Sequence, residues 1–216
     1  MTTPAVLKVT PVDEDSSKRR QILDGARRMF MEFGFDAASM GEIAKTAGVS
    51  KGTLYVYFAD KCALFQAIVE EIAQIHGRIG ADIDLDDHDV PGSLRRFGTA
   101  YMELLCRPEG GSAVRTIMAI AERMPEIGRR YYSTIIAGSI NRLAQYLAAQ
   151  SKAGIVAIDD HELAAEQFLK CCQATLFLPF VFQTTPSPSR ERIAYVIDSA
   201  VRMFMAAYGP RPGADA

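Results

Sequence analysis

The chain has little with which to do chemistry. Its three histidines, His76, His88 and His161, are scattered, and none stands at ligand spacing from a cysteine or carboxylate. Its four cysteines (Cys62, Cys106, Cys171, Cys172) show no paired metal-ligand pattern, and adjacent Cys171 and Cys172 are badly placed to bridge each other. Reduced, mostly buried thiols are expected instead. No stretch reads as a strand, so the glycine-rich phosphate loop that follows a strand is missing too. The residues therefore predict no enzyme, no metal site and no cofactor. Long apolar runs are also lacking. The longest apolar segment, residues 174–182, is broken by Pro179 and is too short to cross a bilayer. The start of the chain has no apolar stretch behind a basic leader, so a cytoplasmic protein with no membrane partner is expected. An excess of one charge is absent as well. The net charge of −2 excludes a surface coated all over for nucleic acid, and any such site must be local.

What is present is a globular composition, with 49% hydrophobic residues in 216, enough for a small domain and one of ordinary size. The charge is unevenly spread. Residues 17–61 hold eight basic side chains against five acidic ones, leaving +3 there and −5 on the rest. Attraction to phosphate is placed at one end.

Within that basic end, residues 39–58 read as two short helices joined by a tight turn. Ser39 followed three residues later by Glu42 is a capping box. Ile43, Ala44 and Ala47 give an apolar stripe, and Gly48 stands where a left-handed residue must stop the first helix. Val49 plugs the turn and Ser50 caps the second helix. This is a helix-turn-helix by mechanism as well as pattern. In its second helix Leu54 and Phe58 point inward, leaving Lys51, Thr53, Tyr55 and Tyr57 outside. Exposed tyrosines beside a lysine, a hydroxyl and the bare backbone of Gly52 suit a phosphate-lined groove. The alternative is an ordinary helical hairpin whose tyrosines half-pack on neighbours.

Around this motif the periodicity predicts further helices. Ile22, Ala26, Met29, Phe30 and Phe33 make one face of a helix starting near Ser17, which Gly34 ends and under which Phe35 tucks. Asp60 caps a helix with Leu64, Phe65, Ile68, Ile72, Ile75 and Ile79 on one side, a stripe long enough to link two domains. The acidic run at 82–89 lacks the glycine turn and closing glutamate of a calcium loop and reads as a solvated loop. Leu94, Phe97, Tyr101, Leu104 and Leu105 mark the next helix, ending in a loop at 107–111. A short helix carries Val114, Ile117, Met118 and Ala121 and is interrupted by Pro125. A long one carries Ile127, Tyr131, Ile135, Leu143 and Leu147 and is closed by Gly154. The penultimate helix points Leu163, Phe168, Leu169, Cys172, Leu176 and Phe180 inward, and the last does so with Ile193, Val196, Ile197, Ala200, Met203 and Phe204. Glu122 and Arg123 suggest a half-buried ion pair with Arg115 or Arg129. The expected fold is all-α, with about nine helices. A three-helix helix-turn-helix domain at 17–61 precedes a larger helical bundle at 62–209. Tails at 1–16 and 210–216 are expected to be disordered and frayed.

The run Ser39-Met40, Ile43-Ala44, Ala47-Gly48-Val49-Ser50-Lys51-Gly52-Thr53-Leu54-Tyr55, Tyr57-Phe58 and Lys61 resembles the DNA-binding domain of TetR/AcrR-family transcriptional regulators, over residues 18–65. A second segment, 124–132, is similar to the AefR-like branch. The resemblance implies a homodimer that binds double-stranded operator DNA as a repressor, with a ligand pocket in the larger domain. Carried over position by position, the DNA-contacting set is Ser39, Ser50, Lys51, Gly52, Thr53, Tyr55, Tyr57 and Lys61. The basic triplet Lys18, Arg19 and Arg20 matches the family's backbone contact at the start of the first helix. Val56 departs from the aromatic or polar residue often found there.

Two further expectations concern the larger domain. Apolar residues on more than one side of the last two helices suggest pairing across a two-fold axis through Phe168, Cys172, Leu176, Phe177, Phe180, Val196, Ala200 and Phe204. Phe97, Tyr101, Met102, Met118, Tyr131 and Tyr132 offer the bulky, adaptable lining of a site for a small apolar or aromatic effector, whose binding would release a palindromic operator. The competing class is a helical scaffold or adaptor without DNA binding, distinguished by whether heparin or duplex DNA retains the chain at low salt.

Overall fold

A computed structural model describes residues 11–77 and 83–210, apart from the side chains at 11–14, 73, 75–77, 108, 109 and 112. Among the described residues the chain is all-helical, in two compact units that divide between Glu71 and Ile72. Helix α1 (Pro11–Ala37) starts six residues ahead of the expected Ser17, with a non-helical break at Gly34 (φ 77). It is followed by α2 (Met40–Ala47), α3 (Lys51–Tyr57) and α4 (Lys61–Gly77). The larger unit holds α5 (Val90–Leu105), α6 (Pro108–Ile120), α7 (Pro125–Tyr131), a π-helical turn (Tyr132–Ile136), α8 (Ala137–Lys152), α9 (His161–Gln173), α10 (Phe177–Val181) and α11 (Arg190–Tyr208). The nine helices read from periodicity are all here, and two of them are interrupted. The long one is divided by the π turn, and the penultimate one breaks at Thr175, whose φ of 60 is costly for a β-branched residue. The helix expected to begin near Val114 instead begins at Pro108, because proline at the first helical position gives up no hydrogen bond.

In the smaller unit Ile22, Leu23, Ala26, Ile43, Leu54 and Leu64 are almost fully buried. The break at Gly34 reverses one expectation. Phe33 is left exposed, while Phe35 turns inward and stacks on Phe30 at 5.4 Å, with Phe65 edge-on to both. Such ring geometry adds to simple area burial. Leu64, Phe65 and Ile68 line the inner side of α4 as expected; the side chain of Ile75, all of Ile79 and Asp82 lie outside the described residues.

The core of the larger unit is gathered from α5, α8, α9 and α11. Gly98 marks the crossing of α5 with α9 and α11, since a β-carbon there would lie 3.0 Å from Ile197 Cδ1 and 3.2 Å from Cys172 Sγ. The acidic loop works as a cap. Asp89 Oδ1 accepts from the Gly92 amide at 3.0 Å, and Asp87 accepts from Ser93 and Arg96. No cluster suited to a metal ion is found among the described residues. Glu122 and Arg123 are exposed, not half-buried as expected. No helix is long and apolar enough to cross a membrane among those described.

Candidate nucleic-acid interface

The motif is assembled by local hydrogen bonds. Ser39 Oγ accepts from the Glu42 amide at 3.2 Å while Glu42 Oε2 accepts from the Ser39 amide at 3.3 Å, closing the capping box on α2. Gly48 ends α2 with φ 67, and its amide reaches the carbonyls of Ala44 and Lys45. Ser50 Oγ then accepts from the Thr53 amide at 3.0 Å and starts α3. Each bond satisfies a backbone group that a helix end leaves orphaned.

Helix α1 clamps this pair from behind. Gln21 Nε2 donates to the Ala47 carbonyl at 2.6 Å, and Arg28 Nη2 donates to that of Thr46 at 3.2 Å. Arg27 is held by Asp24 and by Glu71, at 3.3 and 2.8 Å. Arg19 lies over the Phe58 ring, 5.5 Å from its centroid. These arginines fasten helices to one another, whereas Arg20 and Lys45 are exposed.

Helix α3 buries only Leu54 of its seven residues. Lys51, Gly52, Tyr55 and Val56 are exposed, and Thr53 and Tyr57 half so. Val56, discounted in the sequence for its aliphatic side chain, is 83% exposed and stands one turn beyond Gly52. A short apolar residue open to water suits contact with a thymine methyl. The signal available was position alone: Val56 follows Gly52 by four residues and so shares its face. Ser39 and Ser50 are exposed but already use their hydroxyls as caps, and Thr53 Oγ1 lies 2.8 Å from Ser50 Oγ.

Two members of the expected contact set have internal tasks. Lys61 Nζ donates to the carbonyls of Asp36 and Ala38, at 3.2 and 3.0 Å, and sits 4.5 Å from the Phe35 centroid. It fastens α4 to the end of α1, and two of its three donors are taken. The Tyr57 hydroxyl donates to Asp15 Oδ1 at 2.6 Å, and this bond raises its pKa above the ordinary phenol value.

The larger unit redistributes the other candidates. Phe97, Tyr101 and Met102 share the core of this unit, Tyr131 is also buried, and the Tyr101 hydroxyl accepts from Gln173 Nε2 at 2.8 Å. Burial holds the Tyr101 phenol far above its ordinary pKa and pushes that of Tyr131 up to about 12. Met118 and Tyr132, by contrast, are 69% and 55% exposed and cannot line an interior site. The expected dimer residues are also corrected. Phe168, Cys172, Leu176, Phe180, Val196, Ala200 and Phe204 are buried in the chain's own core, where Phe168 meets Phe204 edge-on at 5.7 Å, and Phe177 is half-buried. Leu163 and Met203, expected inside, are outside, with Leu178, Phe182 and Tyr195.

A capped helix-turn-helix with a bare second helix, joined to a larger helical unit, defines a helix-turn-helix regulator. Residues 22–68 match the model of bacterial regulatory proteins of the tetR family, and residues 92–210 that of the AefR-like transcriptional repressor C-terminal domain. The chain belongs to the TetR family of transcriptional regulators, with an AefR-like C-terminal domain, and is a regulator rather than an enzyme. A solved TetR-family regulator from Mesorhizobium loti shares the fold with a TM-score of 0.79 and 28% identity, over 90% of this chain and 98% of its own. The flavonoid-responsive regulator FrrA does so with a TM-score of 0.75 and 32% identity, over 91% and 99%. Among curated proteins, the HTH-type transcriptional repressor Rv1474c of Mycobacterium tuberculosis is 41% identical over 83 residues, 34% of this chain and 44% of that protein. The chain spans less than half the length of the first curated relatives it matches.

Proposed function

We propose that the chain is a ligand-responsive transcriptional repressor that docks α3 in the major groove of a palindromic operator, as a homodimer in the cytoplasm where that DNA lies. The observation that carries this reading is Gly52. Among the described residues a β-carbon there would meet only Ser50 Oγ, at an ordinary 3.8 Å, so none of them needs a glycine at this position. Glycine costs a helix interior about 0.5–1 kcal/mol relative to alanine, less in a first turn. Close approach by an outside backbone accounts for it, and Lys51, Tyr55 and Val56 beside it offer charge, ring and methyl contacts to one duplex. A two-fold axis would set the two α3 helices about 34–36 Å apart, one turn of DNA.

The effector we infer is a small aromatic molecule taken up among Phe97, Tyr101, Met102 and Tyr131, apolar groups with phenol hydroxyls to orient a guest. The flavonoid-responsive regulator FrrA, similar to this chain, supports that class. Tilting α4, which runs from the smaller unit into the larger, would alter the spacing of the α3 helices and release DNA. The test is a duplex selected by the chain from a random-sequence library. Gly52→Leu should fold at least as firmly as the parent and lose that duplex, and Tyr55→Ala should cost about 1–3 kcal/mol of binding. Full binding by Gly52→Leu would remove α3 from the interface.

A further inference from the structure

The hydrogen bond between Tyr57 and Asp15 occupies the hydroxyl that the expected DNA contact of Tyr57 would use. A phenol has one proton to give, and phosphate oxygens only accept. In this structure that proton is given to Asp15 Oδ1, 2.6 Å away, across 42 residues of sequence. Asp15 is exposed and Tyr57 half-buried, so water could satisfy either group, and folding does not require the bond. It is nevertheless made, between the first turns of α1 and the end of α3. Asp13 and Glu14 precede Asp15 in the chain, so the bond ties an acidic stretch of sequence to the end of α3.

We propose that Asp15 is a built-in competitor for DNA: its carboxylate stands in for a backbone phosphate, holds the Tyr57 hydroxyl, and must surrender it before α3 seats fully in the groove. This rests on the DNA-binding reading above. The carboxylate does two things with one geometry. It positions the Tyr57 ring at the end of α3 while DNA is absent, and it sets a charge of phosphate sign where a phosphate would come. An encounter that leaves the pair closed keeps that repulsion, and a seated complex replaces the carboxylate by a phosphate as the acceptor. Its removal therefore favours DNA, although it deletes a hydrogen bond from the free protein.

A double-mutant cycle separates this role from plain charge removal. Asp15→Ala, Tyr57→Phe and the double variant would be titrated by fluorescence anisotropy against the duplex selected with the parent chain. Asp15→Ala should tighten binding roughly two- to tenfold, the scale of one net hydrogen bond, and should tighten it distinctly less in the Y57F background. Equal gains in both backgrounds would reduce Asp15 to a general repulsive charge and overturn the proposal, as would no gain. A parent chain that retains no duplex in the selection defeats the DNA-binding reading itself, a different result from a parent that binds with no coupling. A second measurement needs no DNA. With tyrosines carrying 13C at Cζ, the Tyr57 resonance should titrate at lower pH in Asp15→Ala than in the parent. An unchanged midpoint would show that the bond is not made in solution, and the competitor role would fall with it.

Discussion

Gly25 and Ala47 touch where α1 crosses α2: a β-carbon on Gly25 would lie 2.6 Å from Ala47 Cβ and 2.7 Å from its Cα. The obstacle is backbone, so it cannot swing aside as a long side chain would. Gly25→Ala should destabilise the smaller unit by about 1–3 kcal/mol, the usual scale of overpacking, although alanine is the better helix former by about 1 kcal/mol. Urea unfolding followed by circular dichroism checks the sign. A more stable variant would mean that α1 can lift off α2 at little expense.

The same packing explains what Glu71 does. Its carboxylate accepts from Arg27 Nη2 at 2.8 Å and lies 3.9 Å from Arg19 Nη1, pinning α4 to α1. The Arg27 and Glu71 side chains are 28% and 31% exposed, so solvent screens the pair only partly. An Arg27→Ala and Glu71→Ala cycle should show a coupling of about 0.5–1 kcal/mol that shrinks with added salt. Additive effects would make the contact incidental.

The caps and turn of the helix-turn-helix were legible in the sequence because their chemistry is local. Ser39 meets Glu42 and Ser50 meets Thr53, each three residues on, and Gly48 needs only its own φ. Facing directions over longer spans were not. The break at Gly34 turns Phe33 out to solvent, although Phe35 lies inward as expected. In the larger unit Tyr131 and Tyr132 are neighbours pointing about 100° apart around the helix, so only Tyr131 faces inward and Tyr132 is left outside. Met118 faces outward while its neighbour Ile117 is buried, and the helix that carries both begins at Pro108, where a pair of glycines reads as a loop. Asp15 escaped notice for another reason: its partner is remote in sequence, and no spacing rule connects them.

Burial at Tyr131 has a consequence at alkaline pH. The unfolded chain ionises this phenol near its ordinary 10, while the folded chain does so at about 12. The group's full contribution is present below pH 10 and is lost as pH rises through 12, a change of about 2–3 kcal/mol. Cys106, pushed up by burial from 9 to about 11, weakens the fold in the same direction from slightly lower pH. Tyr131→Phe keeps the ring and removes the proton. Its unfolding midpoint in urea should fall less steeply than the parent's between about pH 10 and 12. Parallel slopes would place Tyr131 in contact with water.

The surface of the last helix separates association from folding. Phe204 is 4% exposed and packs on Phe168 and Tyr208, whereas Met203, the residue before it, is 60% exposed, as is Tyr195 at 64% on the same helix. If two copies pair through α9 and α11, the apolar area available for it is this outer face, together with Leu163, and not the ring cluster within. A charge at 203 would then be buried against the partner without a counter-charge, and such a charge strongly opposes association. In an isolated chain the same charge would sit in water and cost little. Met203→Glu should therefore sediment as a folded monomer at micromolar concentration, with helical circular dichroism like the parent's. Phe204→Glu should lose its helical signal, since it buries an unpaired charge in the core of its own chain. With a dimer needed to span two half-sites, Met203→Glu should also lose most of its affinity for a palindromic duplex while α3 remains unaltered. A Met203→Glu chain that still sediments as a dimer would move the two-fold contact to another face of the larger unit.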